Sequence, residues 1–422
     1  RFNQWLRPPV WSDDGNHLLF IAPASGTGQG SHAVWTVPRA GGEAQQLALG
    51  ETSCAGELKK GAHGQGVVVS IAEGLGWRLA WLNPQTGALD KVYSTVDADT
   101  LCDLGGWSAT RLADGTMVLA AAVATSVRPG EVWAGRAAPG EALRLTRITN
   151  HQTAFDEVRW GVQEPFTWRA LDGWELDGVL IRPPDAPSGP LPLVALVHGG
   201  PYGRYGLGLH LSWGNWGQWL ATAGYAVLMP NYRGGMGHGD RFASAARGGV
   251  GEGDFSDILS AIDAAIERGI ADPDRLAIGG WSQGGFMTAW AVTQTGRFKA
   301  GIMGAGVSDW GMMVMTSDVP DFERELGGAA PWDGLANQRH LQLSPITFAR
   351  RATTPLLILH GKNDARVPVS QAIGFHRALR EAGCPSELVV YPREPHGIGE
   401  RAHQLDVLHR VRTWVDRWLK DA

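Results

Sequence analysis

Ser282 stands in the pattern Gly280-Trp281-Ser282-Gln283-Gly284, inside RLAIGGWSQGGFMTAW at 275–290. Gly279, Gly280, Gly284 and Gly285 crowd around it, and glycine is costly inside regular structure. A serine hydroxyl is a weak nucleophile until a base takes its proton and a carboxylate orients that base. Downstream, PLLILHGKNDARVP offers Asp364 and LVVYPREPHGIG offers His396. Each lies just past an apolar run of strand length, so the three side chains can converge at one sheet edge. Asp318 and Asp321 are alternative acids, but they do not follow a strand. His376, His403 and His409 fall on helical patterns and His340 on a connecting stretch. His360 reads as a structural hydrogen-bonder at a strand end. The chemistry such a trio performs is acyl transfer through a covalent intermediate.

Elements must hold these residues in place. LAIGG reads as a strand and GGFMTAWAV as a helix, so Ser282 sits on a tight strand-to-helix turn. Side chains at Gly280 and Gly284 are expected to collide with neighbouring backbone there. From about residue 190, apolar runs alternate with helical patterns: LPLVALVHGG, YAVLMPNYRG, RLAIGGWS, KAGIMGAG, PLLILHGKND and SELVVYP. Such runs suit strands buried on both faces. Between them, Phe255, Ile258, Leu259, Ile262 and Ile266 mark one helix face, and Leu405, Leu408, Val411, Val415 and Trp418 another. The chain order of serine, acid, histidine and the strand-helix alternation give an α/β-hydrolase fold, a doubly wound, mostly parallel sheet, over 159–422. Two backbone donors are expected to hold the oxyanion. They are the N–H of Gln283 and, after the strand LPLVALV, that of Gly200.

Residues 1–158 have another rhythm. HLLFIAP, AVWTVP, GVVVSIA, RLAWLNP, MVLAAAV and EVWAGRA are short β-type runs bounded by Gly, Pro, Asn and Asp. WSDDGNHLLF resembles RLADGTMVLA, and VWTVPRAGGEAQQLA resembles VWAGRAAPGEALRLT, each pair about 100 residues apart. A unit near 50 residues holding about four strands describes a propeller blade. The expectation for 1–158 is therefore an all-β, partial β-propeller of about three blades, with a β-sandwich as the alternative.

Length and composition fit two soluble domains: 422 residues, 44% hydrophobic and 19% charged. The net charge of −5 shows no basic face, which argues against nucleic acid as a partner. No apolar run is long enough for a membrane span. Three scattered cysteines, Cys54, Cys102 and Cys384, argue against a disulfide framework and suit the cytoplasm. Neither metal-ligand spacing nor a cofactor motif is present, so no cofactor is expected.

The segments DGWELDGVLIRPP, LVHGGPYG, YAVLMPNYRGGMGHG, ADPDRLAIGGWSQGG, LHGKNDARVP and YPREPHG span nearly all of 160–422. On them the chain resembles the prolyl oligopeptidase family of serine peptidases, most closely its acylaminoacyl-peptidase branch. The resemblance implies an N-terminal propeller that filters substrates by size and a short peptide as substrate. It also implies that Arg366 reaches a substrate carbonyl next to the cleaved residue. Val367 and the segment 304–328 are then expected to form the specificity pocket, with Trp310 as a wall and Met312, Met313 and Met315 as lining or ordinary core. No adjacent Glu-Glu pair is present, which argues against a dipeptidyl peptidase. About three blades, and Arg1 as first residue, lead to the expectation of a missing N-terminal propeller fragment or a homo-oligomer that closes the gap. Aminopeptidase activity and small-molecule amidase or esterase activity are the alternatives on the same triad. A non-catalytic propeller binding protein is the remote one.

Overall fold

The computed structural model describes residues 7–25, 30–61, 66–94, 103–138, 141 and 143–420; Arg1 and Cys102 fall outside them. The chain forms two compact units. The first comprises 1–158 together with two short excursions, 206–210 and 236–244. The second holds the rest.

The first unit contains three four-stranded antiparallel sheets, each made of strands consecutive in the chain. They begin at Val10, Cys54 and Asp103, spacings of 44 and 49 residues. These are propeller blades. Met117–Ala124 shows why they form: buried and half-buried residues alternate along all eight positions, the two-residue period of a strand. In the middle blade Val67, Val69 and Ile71 pack with Leu19, Ile21 and Val34 of the first. Val68, Leu79 and Trp81 pack with Trp107, Leu119 and Ala121 of the third. A strand sandwiched between two sheets must be apolar on both faces, which explains the unbroken run VVVSIA. Each blade's first strand was hidden in the sequence. CAGELKK and DLGGWSATR carry interior glycines, which weaken the strand signal. The structure pairs both as strands, Cys54–Lys60 and Asp103–Arg111. Their register shifts fall at Gly56 and beside Gly105 and Gly106, where they form β-bulges.

The second unit is built on one eight-stranded sheet. Its strands are β1 (Val162–Arg169), β2 (Glu175–Arg182), β3 (Leu191–Val197), β4 (Ala226–Asn231), β5 (Ala271–Trp281), β6 (Ala300–Gly304), β7 (Leu356–Gly361) and β8 (Ser386–Tyr391). Their spatial order is β1-β2-β4-β3-β5-β6-β7-β8. β1 and β2 join antiparallel, and the pairs from β4 to β8 are parallel. Every residue of β3, β4, β6 and β7 is buried, because helices cover both faces of a parallel sheet. The helices that bear on the site are α1 (Gly253–Glu267), α2 (Gln283–Gln294), α3 (Trp310–Thr316), α4 (Pro320–Gly327), α5 (Ser370–Glu381) and α6 (Arg401–Leu419). α1 buries Phe255, Ile258 and Ile262 as its spacing requires. α6 is turned from the expected face: Val407, Val411, Trp414 and Val415 are buried, while Leu405 is 46% exposed. His340 sits on a short helix, Arg339–Gln342, and not on a connecting stretch. Among the described residues no helix is long and apolar enough to cross a membrane.

Candidate active site

β5 ends at Trp281 and α2 begins at Gln283, so Ser282 alone makes the turn. Its φ of 61° and ψ of −117° form a backbone conformation that a non-glycine residue adopts only under constraint. The constraint is close packing. A Cβ at Gly280 or at Gly284 would collide with the carbonyl oxygen of Val197 at the end of β3. At Gly285 it would collide with the carbonyl of Gly304. The glycines around the serine are there because the helix start sits on the ends of the two strands beside β5.

Asp364 follows β7 and His396 follows β8, on neighbouring parallel strands. The structure brings the three residues together. His396 Nε2 lies 2.9 Å from Ser282 Oγ, and His396 Nδ1 lies 2.7 Å from Asp364 Oδ2. The carboxylate places the proton on Nδ1, which leaves Nε2 with a lone pair for the serine hydroxyl. Burial by itself would raise the Asp364 carboxyl, but hydrogen bonds from His360 and His396 outweigh it and hold it at about 2. Asp364 Oδ1 accepts the backbone N–H groups of Arg366 and Val367, both at 2.9 Å. The acid is thus ionised, 6% exposed and fixed from both sides. His360 is fully buried, and its Nε2–H is shared between the Val367 carbonyl at 2.7 Å and Asp364 Oδ2 at 3.4 Å. Asp318 is not at the triad; it grips Arg366 through Nε and Nη2 at 2.5 and 3.1 Å.

The loop after β3 abuts the turn: a Cβ on Gly199 would stand 3.4 Å from Ser282 Cβ. His198 Nδ1 donates to the Gly199 carbonyl at 2.9 Å, and its ring stacks on Tyr232 at 4.2 Å and 10°. Tyr232 Oη donates to the His198 carbonyl at 2.8 Å. Burial pushes the His198 imidazole down to about 4, so it is neutral. Gly200, the next residue, has φ 133°. Gln283 is the first residue of α2, where backbone N–H groups lack partners within the helix and the dipole favours negative charge.

Of the expected pocket residues, Val367 is 3% exposed, and Trp310 is fully buried, edge-on to Phe286 at 5.1 Å. Trp310 differs from the expected pocket wall: it packs against α2 and offers no accessible surface. Met313 is core, while Met315 is 57% exposed. Glu323 on α4 escaped sequence reasoning, because a buried carboxyl has no composition signal. It is 4% exposed, and burial raises it to about 8, against the opposing charge of Arg366. Glu394 is also buried and accepts the N–H groups of Gly399 and Glu400 and the Nδ1 of His403, which ties the His396 loop to the start of α6.

The chain is similar to several known proteins. A peptidase from Bacillus subtilis, the uncharacterized peptidase YuxL, is 35% identical over 267 residues, 61% of this chain and 39% of its own. The acylamino-acid-releasing enzyme of Arabidopsis thaliana is 33% identical over 236 residues, 54% of this chain and 30% of its own. The solved Pyrococcus horikoshii acylaminoacyl peptidase superposes with a TM-score of 0.79 at 25% identity, covering 96% of this chain and 62% of that one. The chain therefore spans well under half the length of these curated relatives. The prolyl oligopeptidase family model matches residues 212–422, the half that holds Ser282, Asp364 and His396. By that match, and by the α/β-hydrolase sheet that carries it, the chain belongs to the prolyl oligopeptidase family.

Proposed function

We propose that the chain is a serine peptidase that cleaves short or N-acylated peptides through an acyl-enzyme on Ser282. The observation that carries this reading is the unbroken hydrogen-bonded chain from Ser282 Oγ through His396 to Asp364. His396 takes the serine proton as Ser282 attacks the carbonyl, and the imidazolium is stabilised by Asp364. The N–H groups of Gly200 and Gln283 hold the oxyanion. His396 then gives its proton to the leaving amine, and a water activated by the same base releases the acyl group. Arg366, held on one side by Asp318, presents the rest of its guanidinium to a substrate carbonyl. Val367 and the segment 304–328, with Trp310 behind it, shape the specificity pocket.

N-acylated substrates are favoured because the Arabidopsis and Pyrococcus relatives are named for them. The work is assigned to the cytoplasm, which suits the buried thiols of Cys54 and Cys384. The test is a matched pair of p-nitroanilides, acetylated and free-amine, on one apolar residue, with Ser282→Ala as blank. Faster turnover of the acetylated member is expected. Faster turnover of the free amine would make the chain an aminopeptidase, and turnover of esters alone would make it an esterase.

A further inference from the structure

We propose that Trp281, the residue between the turn glycine and the nucleophile, is a positioning residue for the His396 base. Its indole Nε1–H donates to the backbone carbonyl of His396 at 2.8 Å. The indole itself is firmly seated. It stands edge-on to Trp213 at 4.6 Å and 85°, and its six-membered ring lies directly over Gly304, where a Cβ would collide with it. Its backbone is the last residue of β5, in parallel register with Gly304 of β6. Trp281 is thus a rigid arm that grows from the nucleophile's own strand and ends on the base's main chain.

Such an arm answers a problem in the fold. Ser282 sits at a strand end, but His396 sits in the irregular loop 392–400 between β8 and α6. The ring is held at its two nitrogens by Ser282 and Asp364. Around it, the Glu394 carbonyl accepts from Asn363 N–H, Gln404 Nε2 donates to the Ile398 carbonyl, and the Glu394 side chain secures Gly399, Glu400 and His403. The Trp281 bond is the one that fixes the His396 carbonyl, and it fixes it to the residue next to Ser282. Nucleophile and base therefore keep register with each other. A misplacement of about 1 Å in such a pair costs about a hundredfold in rate.

The inference rests on the serine-peptidase reading, so its test must separate the two. The readouts are the second-order rate of Ser282 labelling by a fluorophosphonate, and kcat and KM on the acetylated p-nitroanilide. The first variant is Trp281→Phe, which keeps a ring over Gly304 and removes the donor. The second places benzothienylalanine at 281 alone, which replaces N–H by sulfur at nearly constant shape and carries the test where the first variant folds poorly. Both are expected to slow labelling and kcat about tenfold, the scale of one lost hydrogen bond and its orphaned carbonyl, with KM within about twofold. Wild-type labelling rates in the sulfur isostere would overturn the inference, whatever Trp281→Phe does. A raised KM at unchanged kcat would also overturn it, by making Trp281 a substrate contact. Failure of the wild-type protein to label at Ser282 would sink the serine-peptidase reading beneath it.

Discussion

Glycine serves two opposite ends in this chain, and the turns of the first blade and the turn at the nucleophile show one each. In the blades, Gly15, Gly41 and Gly42 turn the chain at positive φ, and a Cβ on any of them would meet nothing within 4 Å. Gly106 lies in a strand with neither positive φ nor a close neighbour. At the nucleophile turn, Gly280 near the end of β5 and Gly284 at the start of α2 do not have positive φ, yet a Cβ on either would collide with the Val197 carbonyl. The first group supplies backbone freedom and the second supplies missing volume. A turn glycine serves stability alone, whereas a volume glycine decides whether helix, strand and nucleophile can approach. Buried charge occurs in both regions, and in the third blade Glu131, 3% exposed, accepts from the Thr149 hydroxyl and the Gln152 N–H. Asp364 is kept ionised next to the nucleophile, and Glu323 is buried at a cost.

The contrast can be broken at several points. The largest effect is expected for Asp364→Asn, which keeps the shape but removes the charge that sets the His396 tautomer; kcat should fall about 10⁴-fold, read on the acetylated p-nitroanilide. The same variant has a stability signature. The Asp364 carboxyl is held at about 2 against an ordinary 3.8, so the folded state binds fewer protons than the unfolded one in that window. Its contribution, about 2 kcal/mol, is full above pH 4 and is lost as pH falls toward 2. Denaturant curves of wild type and Asp364→Asn should therefore draw together as pH falls from 4 toward 2.

Gly280→Ala comes next. Relief of the clash with Val197 must move the turn, and turnover should drop about a hundredfold or more, with fluorophosphonate labelling falling in step. Near-normal turnover would show that the turn has slack and would erase the distinction between the two kinds of glycine. Glu323→Gln tests buried charge. The Glu323 carboxyl is raised from 4.5 to about 8, so the folded state binds more protons between those values and stability declines as pH rises through them. The glutamine variant should be more stable than wild type at pH 8.5 by a few kcal/mol, and the gain should vanish near pH 4.5. Gly106→Ala is the smallest. It should leave activity unchanged and shift stability by about 1 kcal/mol or less, on the stabilising side.

These cases also show what was legible in the sequence. Ser282, Asp364 and His396 stand at strand ends in an order that one fold permits, so their meeting could be read from 114 residues of separation. The two central strands of each blade announced themselves by apolar runs. What stayed hidden depends on three-dimensional approach. The bulged strands at Gly56 and Gly105 look like loops by composition, and only pairing makes them strands. The buried face of α6 includes Trp414, a residue outside the expected stripe, which lines a cavity together with Ser386 and Glu387 of β8. Trp281 reads as a spacer between glycine and serine, and its bond to His396 crosses 115 residues. Glu323 sits in a segment assigned to the pocket, yet nothing in its neighbours' identities announces a buried carboxyl.

The most direct test of the account is to map where a fluorophosphonate attaches, by intact mass and peptide sequencing. The account predicts one adduct per chain, on Ser282, and none in His396→Gln. An adduct on another residue, or labelling of Ser282 that survives loss of His396, would contradict it.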